Sequence, residues 1–177
     1  MSSITPFHAT DLFKTNPVNL DVLTENYTIS FYLQYLAEWP SLFFQALDKS
    51  GECAGYMMGK AEGKKMEWHS HITAVTVAYT QRRAGLAKFL CTELERRTAA
   101  PEPYHCYFVD LFVRTTNQMA IDMYEGFDYS VYRRVVGYYG DREDAYDMRK
   151  ALERDVNRET VREDGREHNV KPWEIVF

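Results

Sequence analysis

Cysteine is scarce in this chain. Cys53, Cys91 and Cys106 form no C-x-x-C pair, are odd in number and lie in apolar surroundings. They read as small buried thiols in a reducing compartment. No apolar run is long enough to span a bilayer, which excludes a transmembrane helix. The start, MSSITPFHATDLF, has neither the basic residues nor the apolar centre of a secretory signal. Positive charge is not in excess either. The formal net charge is −5, which argues against direct nucleic-acid binding but leaves room for a local basic pocket. There is no internal repeat. These absences predict a soluble, cytoplasmic protein with no membrane and no direct nucleic-acid partner. Its 177 residues suffice for one domain with a sizeable core.

What is present alternates between two hydrophobic periods. Residues 3–8 suit a short strand, and Thr10 or Asp11 can cap a short helix ending before Pro17. NLDVLTENYTI reads as a loop or broken helix. Ser30 then caps FYLQYLAEW, a helix stopped by Pro40. Residues 42–62, with KSGE at the turn, read as a hairpin. A long strand follows over 66–78, a helix over 84–98 and a strand over 104–114. The helix repeats apolar residues at Leu86, Phe89, Leu90 and Leu94. Asn117 opens a further helix, QMAIDMYEGF, and YSVYRRVVGYY and AYDMRKAL read as two last strands. From Glu153 to His168 charge dominates, the pattern of a solvated helix or disorder. The expected division is therefore a domain over 1–152 and a charged tail over 153–177. Hairpins first, then strand–helix–strand–helix–strand, predict the α/β class with a mixed sheet.

At the junction of the long strand and its helix stands Arg82-Arg83-Ala84-Gly85-Leu86-Ala87. The first N–H groups of a helix lack partners and carry positive partial charge, so they bind phosphate well. Gly85 removes the side chain that would hold a phosphate away from the backbone, and Ala87 keeps the next turn small. Arg82 and Arg83 add positive charge at the end of the helix that favours anions, an odd placement if no anion is held there. Without a ligand the pair would be a surface basic patch beside a turn glycine.

Arg82-x-x-Gly85-x-Ala87 after a strand resembles the (Q/R)-x-x-G-x-(G/A) signature of the GNAT acetyltransferases. A second family element appears at Asn117-x-x-Ala120-x-x-x-Tyr124. LTENYTISFYLQYLAEWP, YMMGKAEG, EWHSHITAVTVA, FVDLFVR and DAYDMRKAL, in this order, resemble the catalytic subunits of B-type (NatB) N-terminal acetyltransferases over roughly residues 1–155. One departure stands at the end of the helix carrying Tyr124. The family places Leu-Gly there; here it is Phe127-Asp128, and Asp tolerates the left-handed conformation better than most residues. The resemblance implies the GNAT fold, a mixed central sheet of about seven strands flanked by about four helices. It also implies acetyl-CoA as co-substrate. Arg82, Arg83, Gly85, Leu86 and Ala87 would hold its pyrophosphate, the backbone near Val75 and Val77 its pantetheine arm, and Asn117 a further contact.

The implied reaction is attack of an amine on a thioester, with no metal and no covalent enzyme intermediate. Tyr124 by itself could be a core aromatic; the resemblance makes it the hydroxyl that protonates or hydrogen-bonds the departing thiolate. His69-x-His71 suggests a metal pair, but no carboxylate or thiol partner is evident in the sequence, so none is expected. Positions 69, 71 and 73 share a strand face, so His71 and Thr73 would both look into the site. The base need not be strong. An α-amine has a pKa of about 8, against about 10.4 for lysine, so His71, a water it holds or a tyrosine suffices. Tyr138 and Tyr139 would close one side of a peptide groove, and Glu25 and Tyr27 the other. Glu25 would either hold the amino terminus or orient Tyr27.

The resemblance implies substrates beginning Met-Asp, Met-Glu, Met-Asn or Met-Gln. Acceptance of acids and amides alike points to neutral polar donors, with Tyr27, His71, Thr73 and Tyr138 as candidates. It implies a large helical-repeat auxiliary subunit as well, and contact with the ribosome through that subunit. Phe31, Tyr32, Leu33, Tyr35, Leu36 and Trp39 crowd one short helix, of which one face can bury only about half. The remainder would be an interface, unless the helix is buried all round. Two other readings stay open: a GNAT enzyme acting on another amine, and a CoA-binding subunit without turnover.

Overall fold

The structure is a computed structural model that describes residues 3–21 and 24–175. The chain divides into two units, Met1–Lys60 with Ile72–Arg97, and Ala61–His71 with Thr98–Phe177.

In the first unit, β1 (Ser3–Pro6) pairs antiparallel with β2 (Phe43–Leu47), which pairs in turn with β3 (Cys53–Glu62). The hairpin expected over 42–62 forms. Asp48 shapes its turn by accepting from the backbone N–H groups of Ser50 at 2.8 Å and Glu52 at 3.0 Å. Between β1 and β2 the chain makes a 3-10 turn, Ala9–Lys14, a short helix α1 (Asn16–Asn19) and the longer α2 (Ile29–Glu38). The first turn ends at Lys14, before Pro17 as expected, but His8 precedes it rather than Thr10 or Asp11. Pro17 then sits in the first turn of the separate α1, where its missing N–H costs nothing. Likewise α2 is capped by Thr28, whose hydroxyl accepts from the Phe31 N–H at 3.3 Å, and Ser30 lies within the first turn.

The aromatic residues of α2 turn inward more than the sequence suggests. Tyr32 and Tyr35 are buried, and Phe31, Leu36 and Trp39 pack against the same cluster with Phe7, Phe43 and Tyr56. Only Leu33 of the six is exposed, as is Ile29 one turn earlier in the helix. β4 (His69–Val77) then leads through a 3-10 turn, Tyr79–Gln81, to α3 (Leu86–Ala99). Leu86, Leu90 and Leu94 are buried at four-residue spacing, each contributing about 1.5–3 kcal/mol. Phe89 departs from the expected stripe and is 48% exposed.

The second unit is built around β5 (Phe108–Arg114), almost continuously buried as a central strand should be. It pairs in parallel with the start of β4, from His69↔Phe108 to His71↔Asp110. It pairs antiparallel with β7 (Ala145–Ala151), which pairs with β6 (Ser130–Val135). α4 (Gln118–Glu125) lies between β5 and β6 in sequence. The tail is neither a solvated helix nor disorder. Asp155 accepts from the Thr160 N–H and hydroxyl, at 2.9 and 2.5 Å, and both residues are buried. Gly165 passes so near β6 that a side chain there would strike the Val131 carbonyl. β8 (Asn169–Val170) then pairs in parallel with Arg134 and Val135. That adds an eighth strand to the seven expected, in the order β1-β2-β3-β4-β5-β7-β6-β8 among the described residues.

None of the three cysteines forms a disulfide, and all three are buried. Burial pushes the Cys53 thiol up to about 11 and that of Cys106 to about 12, so neither is a thiolate at neutral pH.

Candidate functional site

In the first unit, the loop between β4 and α3 takes an unusual backbone path. Arg83 and Gly85 both have positive φ, 65° and 79°, on either side of Ala84. Left-handed residues of this kind turn successive N–H groups to one side and make anion-binding concavities. Arg83, Ala84 and Gly85 are exposed, and the space beside the Gly85 Cα is open for 4 Å. α3 begins here, with the Phe89 N–H bonding to the Gly85 carbonyl at 3.0 Å. Arg82 is more constrained. Its guanidinium pairs with Asp21 at 2.9 Å and reaches the Val77 carbonyl at 3.4 Å. Asp21, unremarked in the sequence, thus ties the irregular segment after α1 to the loop. Leu86 is buried as the first residue of α3, and Ala87 is half-buried.

The last residues of β4, Thr73 to Val77, including Val75, are half-buried. Thr73 is engaged twice. Its hydroxyl hydrogen-bonds to that of Tyr35 at 2.8 Å, and its carbonyl accepts from the Tyr27 hydroxyl at 3.2 Å. Tyr27 stacks on Phe31 at 4.7 Å and lies 3.5 Å from the exposed Glu25 carboxylate. Burial, then the Glu25 charge, raises the Tyr27 pKa well above the phenol range, so this hydroxyl stays a donor. Glu25, Tyr27 and Thr73 are therefore brought together. Tyr35, read from the sequence as a possible interface residue, is their support.

In the second unit, His71 is the third residue of β4 and lies opposite Asp110 of β5. Its Nδ1 is 2.8 Å from Asp110 Oδ1. His69 Nε2 approaches the same oxygen at 3.5 Å, while its Nδ1 donates to the Glu67 carbonyl at 2.6 Å. The sequence reading found no carboxylate partner for this histidine pair, and Asp110 corrects it. Burial alone would raise the Asp110 carboxyl. His71 and His69, with the hydrogen bond from His71, outweigh that and hold it low, so it is ionised. Among the described residues no group of three or more His, Cys, Asp and Glu side chains could hold a metal ion.

Phe112, also on β5, stands 5.8 Å from the His71 ring and stacks flat on Tyr138 at 4.7 Å. Tyr138 meets Tyr139 edge-on, and Arg114 lies over the Tyr139 ring at 4.0 Å. Arg114 pairs with Asp141 at 2.8 Å and also with Glu143, pinning the turn after β6 to β5. Tyr138 is 39% exposed at this turn.

Tyr124 sits near the end of α4 and is 8% exposed. Asn117 caps that helix, its side-chain oxygen accepting from the Ala120 N–H at 3.2 Å. Tyr129 packs edge-on to the Tyr124 ring, and its N–H bonds to the Tyr124 carbonyl at 3.0 Å. Asp128 has φ 71°, the left-handed conformation expected of it, so the helix closes as a glycine there would close it. Lys150 donates to the Phe127 carbonyl at 2.9 Å and fixes the same corner.

Comparison with known proteins bears on these features. The sequence pattern of the Acetyltransferase (GNAT) family matches residues 10–129. The chain is 49% identical to the N-terminal acetyltransferase B complex catalytic subunit NAT3 of Saccharomyces cerevisiae, across all of both chains. It is 51% identical to the corresponding subunit, naa20, of Schizosaccharomyces pombe, again across all of both. The crystal structure of Chaetomium thermophilum Naa20, in complex with a bisubstrate analogue, is 48% identical over 97% of each chain and superposes with a TM-score of 0.89.

Proposed function

The chain belongs to the acetyltransferase (GNAT) family, and from that premise we infer that it is the catalytic subunit of a B-type N-terminal acetyltransferase. It transfers the acetyl group of acetyl-CoA to the α-amine of chains beginning Met-Asp, Met-Glu, Met-Asn or Met-Gln. The observation that carries this reading is the near-50% identity to B-complex catalytic subunits from end to end, not over the cofactor motif alone.

The residues divide the work. The open backbone at Arg83–Gly85 and the start of α3, with Leu86 and Ala87, receive the pyrophosphate, and Arg82 and Arg83 supply charge. The strand backbone at Val75 and Val77 takes the pantetheine arm, and Asn117 contacts the cofactor from the α4 cap. His71 accepts the proton that the amine loses as its nitrogen bonds to the thioester carbon. The carbon–sulfur bond breaks, and the Tyr124 hydroxyl protonates the leaving thiolate. Glu25 and Tyr27, together with Tyr138 and Tyr139, bind the peptide. Tyr27, Tyr138 and Thr73 offer neutral polar groups to the second residue, which suits acid and amide alike.

The partners follow the same reading. An auxiliary helical-repeat subunit covers the exposed apolar residues Phe13, Leu20, Ile29 and Leu33, orders the segment carrying Glu25 and Tyr27, and brings the enzyme to the ribosome in the cytoplasm. The test is a panel of peptides varying only the second residue, assayed with and without that subunit. Met-Asp and Met-Asn peptides should be acetylated and Met-Lys and Ser-Glu peptides left, with turnover weak in the lone chain. Equal rates for Met-Asp and Met-Lys would refute the assignment.

A further inference from the structure

Asp110 is a fully buried carboxylate in the middle of β5. It aims one oxygen at two histidines, His71 at 2.8 Å and His69 at 3.5 Å, and its other oxygen, Oδ2, is buried without a hydrogen-bond partner. A buried charge of this kind is costly and calls for a compensating role. Its surroundings are built to hold it still. His69 is locked from behind by the Glu67 carbonyl at 2.6 Å and stacks on Phe108 with rings 4.7 Å apart and 6° from parallel. Arg149, opposite Asp110 in the β5–β7 ladder, is itself wholly buried, with its guanidinium 4.2 Å from the Phe108 ring. His71, by contrast, keeps 16% of its side chain open to solvent.

We propose that Asp110 is the positioning residue of the acetyl transfer, fixing His71 with its proton on Nδ1 and its lone pair on Nε2. A carboxylate oxygen only accepts, so Nδ1 must donate, and the one nitrogen left to take a proton is Nε2. When the amine nitrogen bonds to the thioester carbon, its proton passes to Nε2 and His71 becomes an imidazolium. The Asp110 charge, 2.8 Å away, stabilises that cation. The inference rests on the reading of His71 as the proton acceptor, and the test separates the two.

Steady-state kinetics would compare the full chain, in its active assembly, with Asp110→Asn, His71→Gln and the double variant. An Asn amide can turn its N–H toward Nδ1 and reverse the tautomer. Asp110→Asn should lower kcat on the order of 10²-fold, with peptide KM and acetyl-CoA affinity changed less than about twofold. In the His71→Gln background the same substitution should change kcat less than about twofold, because its effect passes through His71. Equal losses in both backgrounds would make Asp110 a packing residue and overturn the proposal. If His71→Gln lowers kcat and Asp110→Asn does not, the proposal fails and the proton acceptor stands. A fully active His71→Gln enzyme would overturn both. If Asp110→Asn does not fold, ring nitrogen shifts of ¹⁵N-histidine protein decide the matter, with His71 assigned by its loss in His71→Gln. The Nδ1–H tautomer is expected, and the Nε2–H tautomer would overturn the proposal.

Discussion

Adding a charge at Gly85 tests the anion site at its closest point. Gly85 has φ 79°, and no atom lies within 4 Å of where a Cβ would stand. Gly85→Ala therefore meets no clash, only the left-handed backbone, at about 1–2 kcal/mol. For a chain of this size that lowers Tm by about 2–8 °C. Gly85→Glu carries the same strain and adds a negative charge. Against two pyrophosphate charges at about 5 Å, with an effective dielectric of about 40–80, the repulsion is about 1.7–3.3 kcal/mol. That weakens acetyl-CoA binding roughly 20- to 250-fold relative to Gly85→Ala. Calorimetric titration of both variants with acetyl-CoA reads the difference directly. The gap should narrow on raising salt from about 0.05 to 0.5 M, since the loop is exposed. Equal affinity for the two folded variants would refute the assignment of the pyrophosphate to this loop.

Three further expectations follow from individual contacts. Tyr124→Phe removes one hydroxyl from an 8% exposed ring, so turnover should fall on the order of 10²–10⁴-fold while acetyl-CoA affinity and Tm hold; a fully active Phe variant would return Tyr124 to a packing role. Ile29→Asp or Leu33→Asp places charge on the exposed edge of α2 and should abolish co-purification with the auxiliary subunit without unfolding the chain, whereas Tyr35→Asp should unfold it; intact co-purification of both surface variants would move the interface elsewhere. In α3, hydrogen bonds from Arg96, then from Arg97, lower the Glu93 carboxyl to about 2 against partial burial. The folded value lies below the unfolded one, so the stabilisation is full above the ordinary Glu value and is lost as pH falls toward about 2. The pair is near the surface, so Glu93→Gln should cost at most about 1 kcal/mol in urea melts at pH 7, with the gap closing as the pH drops below about 4.5.

The parts legible in the sequence were those written in local pattern. The hairpin over 42–62, the strand before Arg82, the amphipathic helix after Gly85 and the left-handed Asp128 all depend on neighbours a few residues away. Elements whose form depends on distant strands were not. Asp110 meets His71 only because two strands 39 residues apart pair in parallel in one register, which a single sequence does not specify. β8 forms because β6 offers an edge and Gly165 has no side chain, while its own composition reads as solvated. Thr28 rather than Ser30 caps α2 although both are competent caps. The two hydroxyls are 3.0 Å apart, and tertiary packing of Tyr32 and Tyr35 sets which turn comes first. Arg82 announced an anion, but its tie to Asp21 was hidden in an irregular segment with no period to read.

The central claim is that the acceptor is an α-amine presented by a Met-acidic or Met-amide end. One peptide that begins Met-Asp and carries an internal lysine offers both amines at equal concentration. Incubated with the enzyme, its auxiliary subunit and acetyl-CoA, it should gain a single acetyl group, which fragment masses place on the terminal methionine. An acetyl group on the lysine, with the terminus left free, would contradict the account.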